Sequence, residues 1–247
     1  TDTRYRCVMV VVDSGALKSG PPLRNRIDHN LFQDTPPRGQ NGAETVQIGQ
    51  SAAPLCDLRP MTVVENNVFL RCNGEAEIIS VKTTGNIIRN NVFRDCEGEV
   101  VLRHGHENTV EGNHFAGCKE GVRVYGDGHR VCGNVIANCA ATGIRLGYGT
   151  PDLGHPAAYL PVYGCTITGN TITDCPLAGL LVGSARNQRH ENRKWAGPPW
   201  HASAVMECTV APHGHTIANT AIAGSEGVLG RGDHAPDNAR RDHGVPR

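Results

Sequence analysis

The sequence predicts an all-β solenoid, on three observations: a short repeat, a strand pattern in step with it, and a composition poor in aromatic residues. The repeat is Asn-x-(Phe/Ile)-x-x-Cys, found at Asn67–Cys72, Asn91–Cys96, Asn113–Cys118, Asn134–Cys139 and Asn170–Cys175. Its first four copies start 24, 22 and 21 residues apart. That period is too short for a folded domain and right for one solenoid coil. Glycine supplies 30 of the 247 residues and aromatics only 4%, which suits many short strands joined by tight turns better than helices.

Upstream of the asparagines, residues 44–49, 77–82, 99–104, 120–125 and 142–147 fall in one strand register. Alternation puts Val46/Ile48, Ile79/Val81, Val122/Val124 and Ile144/Leu146 on the core face. The opposite face then carries Gln47, Ser80, Leu102, Arg123 and Arg145 in one column. Gly49, Lys82, His104, Tyr125 and Gly147 form a second column beside it. Parallel coils stack about 4.8 Å apart, so the two columns make a polar, basic strip along the outside. Arg103 is the misfit, because its register matches inward Val81 and Val124. Either a bulge turns it outward or the strand ends before it. A break in a regular repeat is where function is expected to override pattern.

The repeat asparagines, with Asn219 as a further member, are expected to form a ladder of side-chain amides at a turn. Ten cysteines suggest a disulfide framework at first sight. Five of them (Cys72, Cys96, Cys118, Cys139, Cys175) recur at one place in the coil, so they are expected to stack as buried thiols.

One elongated domain is expected over residues 1–228, with longer loops at about 50–62, 147–163 and 184–204. Insertions in a solenoid tend to border its binding face. Residues 229–247 are charged and rich in glycine and proline, and are expected to be disordered. The first residues lack the basic start, apolar stretch and cleavage site of a signal peptide. They read like the middle of a solenoid, so the first coils are expected to be missing. Charge is balanced, 24 basic against 24 acidic residues, so no whole-molecule field draws the chain to nucleic acid. No apolar run approaches the roughly 20 residues of a membrane-spanning helix.

Two consecutive coils depart from bland β-branched residues. Glu75 and Glu77 flank Ala76, with Lys82 five residues beyond Glu77 and Arg103 one coil later. Composition alone would read these as solvated surface. Yet two carboxylates so close repel unless a cation lies between them, and all-oxygen ligands suit Ca²⁺. Glu77 stacks on Glu44 in this register, which sets Gly42 under Glu75 and Asn41 next to it, where an amide oxygen could complete the site. Neighbouring positive groups favour the neutral amine that a lysine general base requires.

The segments GEAEIISVKTTGNIIRNNVF (74–93) and VVLRHGHENTVEGNHFAG (100–117) resemble polysaccharide lyase family six. These are the alginate lyases and chondroitinase B, which are right-handed parallel β-helix enzymes. The similarity runs roughly from Arg26 to Gly147 and takes in RIDHNLF, NGAETVQIG and GVRVYGDGH. Members carry two glycines ahead of the last of these; here the pair is Glu120-Gly121. The resemblance implies that Lys82 is the Brønsted base and Arg103 the acid. It also implies that Asn41, Glu75 and Glu77 bind Ca²⁺, and that His104 and Arg123 contact substrate. Tyr125 and Arg145, in the same columns, are added as substrate-binding candidates.

The implied reaction is β-elimination on a uronate-containing acidic polysaccharide, alginate ahead of dermatan sulfate, by a secreted or periplasmic protein. It needs no pair of carboxylates at hydrolytic spacing. Two other classes compete: a non-catalytic carbohydrate-binding β-helix and a purely structural or adhesive solenoid. The intact Lys82/Arg103 pair favours the enzyme over the first. The second has no need of the glutamate pair and the LRHG segment together.

Overall fold

The computed structural model describes residues 5–12, 23–38, 42–50, 56–151, 158–184, 189–191, 205–225 and 227–230. The described strands build three parallel sheets. The first sheet has eight strands in chain-stacking order: Val8–Val10, Val46–Ile48, Glu77–Val81, Glu99–Leu102, Val122–Val124, Thr142–Gly147, Ala178–Ser184 and Val228–Gly230. The second sheet runs from Arg26–Asp28 to Thr216–Ala218 and the third from Leu31–Thr35 to Ala221–Ala223, with seven strands each. Each complete coil gives one strand to each sheet, and sheet neighbours come from successive coils. This is a parallel β-helix, as the repeat period demands. A separate antiparallel pair joins Arg189–Glu191 to Val205–Glu207. The last described coil continues through Gly230, past residue 228. Residues 231–247 lie outside the described residues.

The repeat fills the interior with columns. Phe32, Phe69, Phe93 and Phe115 stack with ring centroids 4.9, 4.7 and 4.5 Å apart, and Ile136 and Ile172 continue the register. Offset aromatic stacking at this spacing stabilises beyond the area it buries. The five repeat cysteines are buried free thiols. The Cys72 N–H donates to Cys96 Sγ at 3.4 Å.

The asparagine ladder is present with a changed membership. Asn91 Oδ1 accepts both the backbone N–H and the side-chain N–H of Asn67, each at 3.0 Å. The same motif links Asn91 to Asn113, Asn113 to Asn134 and Asn134 to Asn170. Asn30 begins the ladder on Asn67. Asn219 is not in it: Thr168 pairs with Ala218, so Asn219 aligns with Gly169 and Thr220 takes the ladder position. Nor do the ladder residues adopt left-handed backbone. The residue before each one does, at φ 55° for Asn66, 53° for Asn90, 62° for Gly112 and 49° for Asn219. At a second corner Asn86, Asn108 and His129 form a parallel ladder, with His129 Nδ1 accepting the Asn108 N–H at 3.0 Å.

A bulge settles Arg103. Glu99 pairs with Glu77, but Val100 pairs with Ile79, so Ile78 is the extra residue and the register slips by one. Val101, not Leu102, therefore lies on the outer column with Ser80 and Arg123, while Leu102 faces inward with Val81 and Val124. Arg103 then stacks between Lys82 and Tyr125, in the place expected for His104.

Candidate active site

Three successive strands of the first sheet are preceded or opened by glutamates. Glu44 lies in register with Glu77, because Val46 pairs with Ile79, and Glu77 pairs with Glu99. Glu75 joins them from the turn before its strand, where the Gly42 N–H donates to its Oε2 at 2.9 Å. Carboxylate oxygens of Glu44, Glu75 and Glu77 all lie within 4.8 Å of one another. Burial, then the charges of Glu44 and Glu77, push the Glu75 carboxyl up to about 7. Three carboxylates at this separation are costly without cations to balance them.

Lys82 and Arg6 answer part of that charge. Lys82 Nζ lies 3.2 Å from Glu44 Oε1 and 3.1 Å from Gln47 Oε1. Arg6 Nε lies 2.9 Å from Glu44 Oε2 and also donates to Gln47. The Gln47 amide in turn donates to the Gly49 carbonyl. Lys82 is therefore held at the tip by two acceptors, in a recess where it is only 7% exposed.

Arg103 and His104 follow in the next coil. The Arg103 guanidinium lies 3.7 Å from the centre of the Tyr159 ring, a cation–π contact made by the long 147–163 connection. Its Nε is 4.0 Å from Glu77 Oε1, and its buried Nη1 has no hydrogen-bond partner among the described residues. His104 Nε2 is likewise buried and unpartnered among them. Burial and the charges of Arg103 and Lys82 hold the His104 imidazole neutral, well below the usual histidine range.

Arg123 and Arg145 are bound by carboxylates. Arg123 reaches Glu77 at 3.0 Å and Glu99 at 3.3 Å. Arg145 grips Glu99 with two contacts, 2.6 and 3.2 Å, and lies 2.7 Å from Glu120. Glu99, Lys119, Glu120, Arg123 and Arg145 line a cavity of about 230 Å³. Burial and Glu99 push the Glu120 carboxyl up to about 8, whereas Glu99, between two arginines, stays ionised. Tyr125 is 2% exposed, packed against Tyr159 at 4.5 Å between ring centroids. A Cβ at Gly147 would come within 2.3 Å of the Tyr125 ring, so the next coil passes beneath it only as glycine.

The structure thus brings Glu75, Glu77, Lys82, Arg103, His104 and Arg123 to one recess of the first sheet. Arg145 lies one coil further, and Tyr125 is packed below the surface. Asn41 lies outside the described residues. Glu44, Gln47, Glu99 and Glu120 escaped the sequence reading as site residues, although an acidic residue opens each of their strands in the aligned register. Tyr159 left no such signal, because it arrives from a loop. The crowded, partly unbalanced carboxylate cluster fits a hard divalent cation held by oxygen ligands: Glu75 and Glu77 would hold it, with Glu44 alongside.

The family model of chondroitinase B matches residues 8–190. Among curated proteins none matches. A mannuronic acid-specific polysaccharide lyase of family six from human gut microbiota has a similar structure, with TM-score 0.73 and 30% identity. The match covers 90% of this chain and 46% of that one. The family-six alginate lyase AlyGC gives TM-score 0.71 and 26% identity over 90% of this chain and 32% of its own. A family-six lyase from Pseudopedobacter saltans, at 21% identity and TM-score 0.69, shares the fold. The chain spans less than half the length of the first two. With the family model covering most of the chain, and the coil register and glutamate–lysine–arginine cluster in place, the protein belongs to polysaccharide lyase family six.

Proposed function

We propose that this protein is a lyase that cleaves an alginate-type uronate polysaccharide by β-elimination, with Lys82 as base and Arg103 as acid. The observation that carries the reading is the seating of Lys82 Nζ on Glu44 and Gln47, one coil below Arg103. To act as base, Lys82 first gives up one proton; its two remaining N–H donors stay on those acceptors and the freed lone pair takes the C5 proton of the uronate. The C5–H bond breaks toward Nζ and leaves its electron pair on C5 and the adjoining carboxylate. That pair forms the C4–C5 double bond as the C4–O bond breaks with its own pair on the glycosidic oxygen. Nη1 of Arg103, without a partner among the described residues, offers a hydrogen bond and a proton to that oxygen, and the Tyr159 ring packs on the guanidinium. His104, kept neutral, offers its unpartnered Nε2 to a sugar hydroxyl.

Ca²⁺ bound by Glu75, Glu77 and Asn41 would neutralise the uronate carboxylate and so make C5 more acidic. The mannuronate specificity named for one relative supports alginate, and the chondroitinase B match supports dermatan sulfate as the second substrate to try. Such polymers are met outside the cytoplasm, so the proposal extends to a secreted or periplasmic protein. Incubation with polymannuronate, polyguluronate and dermatan sulfate, followed by ultraviolet absorbance of the unsaturated product, tests it. Product from polymannuronate is expected. Binding without product from any of the three would make the chain a carbohydrate-binding relative instead.

A further inference from the structure

A second cluster lies where the chain turns from the first sheet into the second, outside the carboxylate row. Cys56 and Asp57 lie within the long 50–62 connection, His106 sits in the turn after the strand Glu99–Leu102, and Asp127 sits in the turn after Val122–Val124. Cys56 is buried and belongs to none of the stacked cysteines of the repeat. We propose that Cys56, Asp57 and His106 form a binding site for one transition-metal ion of the Zn²⁺ class, with Asp127 orienting the imidazole.

Three features support it. The first is spacing. Tetrahedral Zn²⁺, with bonds near 2.3 Å to sulfur and 2.0–2.1 Å to nitrogen or oxygen, sets its donors roughly 3.3–3.6 Å apart. Cys56 Sγ lies 3.7 Å from Asp57 Oδ1, which lies 3.1 Å from His106 Nε2, and all three donors fall within 4.8 Å of one another. The second is orientation. His106 Nδ1 is hydrogen-bonded to the Asp127 carboxylate, which leaves Nε2 toward Cys56 and Asp57. A metal-ligating histidine is commonly held at its other nitrogen in this way.

The third is preorganisation. The buried Thr84 hydroxyl donates to the Cys56 carbonyl at 2.7 Å and accepts the His106 N–H at 3.0 Å. One side chain therefore ties together the backbones that carry two ligands. Arg59 and Glu107, paired at 2.8 Å, brace the same two segments.

A thiolate, an imidazole and a carboxylate favour a borderline ion over Ca²⁺. On binding, the Cys56 thiol gives its proton to solvent and the two anionic ligands balance the dication. Asp57, largely exposed, leaves the fourth position to water.

Co²⁺ reports on such a site directly, and the readout does not depend on lyase activity. The full chain, stripped by chelator and titrated with Co²⁺ alone, should bind one equivalent with a near-ultraviolet thiolate-to-cobalt band. Cys56→Ser should lose that band while its circular dichroism stays that of the parent. Should Cys56→Ser fold poorly, Asp127→Asn serves as the second variant, with binding weakened by roughly 10–100-fold. Absence of the band in the parent, its persistence in Cys56→Ser, its displacement by millimolar Ca²⁺, or unchanged affinity in Asp127→Asn would each overturn the assignment.

Discussion

The asparagine corner and the glutamate row are both columns of polar side chains stacked one coil apart. Asn67, Asn91, Asn113, Asn134 and Asn170 are buried, as are Glu44 and Glu99, while Glu77 between the latter two is half-buried. In the corner each amide offers donors and an acceptor. Asn91 accepts from Asn67, donates to Val64 and passes a donor to Asn113, so the column closes on itself with neutral groups. In the row Glu44, Glu77 and Glu99 offer acceptors only, and stacking them adds repulsion at each coil. Cations must come from elsewhere, and they do: Arg6 and Lys82 on Glu44, Arg123 on Glu77, Arg123 and Arg145 on Glu99. A satisfied ladder is scaffold, whereas an incompletely balanced one is poised to bind charge.

That contrast can be broken at its chemical end first. Lys82→Ala is expected to cut turnover by about 10²–10⁴-fold, the usual worth of a general base, while retaining polysaccharide binding. Initial rates of product absorbance, set beside binding by calorimetry, check both halves. Undiminished turnover would remove Lys82 from its role.

At the scaffold end the effect should appear in stability. Asn91→Ala strips the Asn67 backbone and side-chain N–H groups of their acceptor. The expected cost is roughly 1–3 kcal/mol for each buried polar group left unpaired. Denaturant unfolding measures it, and an unchanged midpoint would mean that water replaces the amide.

Glu75→Gln should behave oppositely. Removing one of three crowded carboxylates is expected to leave the metal-free protein at least as stable. The rise in Tm produced by Ca²⁺ in the parent should be lost. A variant that still responds to Ca²⁺ as the parent does would place the ion elsewhere.

The smallest expected effect concerns pH. The Glu120 carboxyl is pushed up to about 8 by burial and by Glu99, from an ordinary value of 4.5. The folded chain then keeps a proton that the unfolded chain has released. Its contribution is present below about pH 4.5 and is lost as pH rises through about 8. Glu120→Gln should flatten that loss, so the Tm of the variant should gain on the parent between those limits. Parallel melting curves across the range would deny Glu120 this role.

Much of the architecture was legible because a coil must repeat to stack. The Asn–Phe–Cys spacing located the ladder, the phenylalanine column and the buried thiols, and the alignment of Glu77 on Glu44 holds in the structure. Alignment failed where one residue was added or exchanged. The bulge at Ile78 moved Arg103 into the column assigned to His104. Asn219 was placed in the ladder because it is an asparagine, although its register is that of Gly169. His129 continues an asparagine ladder unseen, since an imidazole nitrogen accepts an N–H as well as an amide oxygen does.

By itself the sequence determined the parallel coil, the buried columns and the neighbourhood of Glu75, Glu77 and Lys82, since period-locked contacts depend only on counting. Which way Arg103 points, that Tyr159 covers it, that Glu99 and Glu120 engage Arg145, and that Cys56 meets His106 were decided by the tertiary structure alone. Those contacts join a bulge or a loop to a distant coil, and no local periodicity encodes where a loop comes to rest.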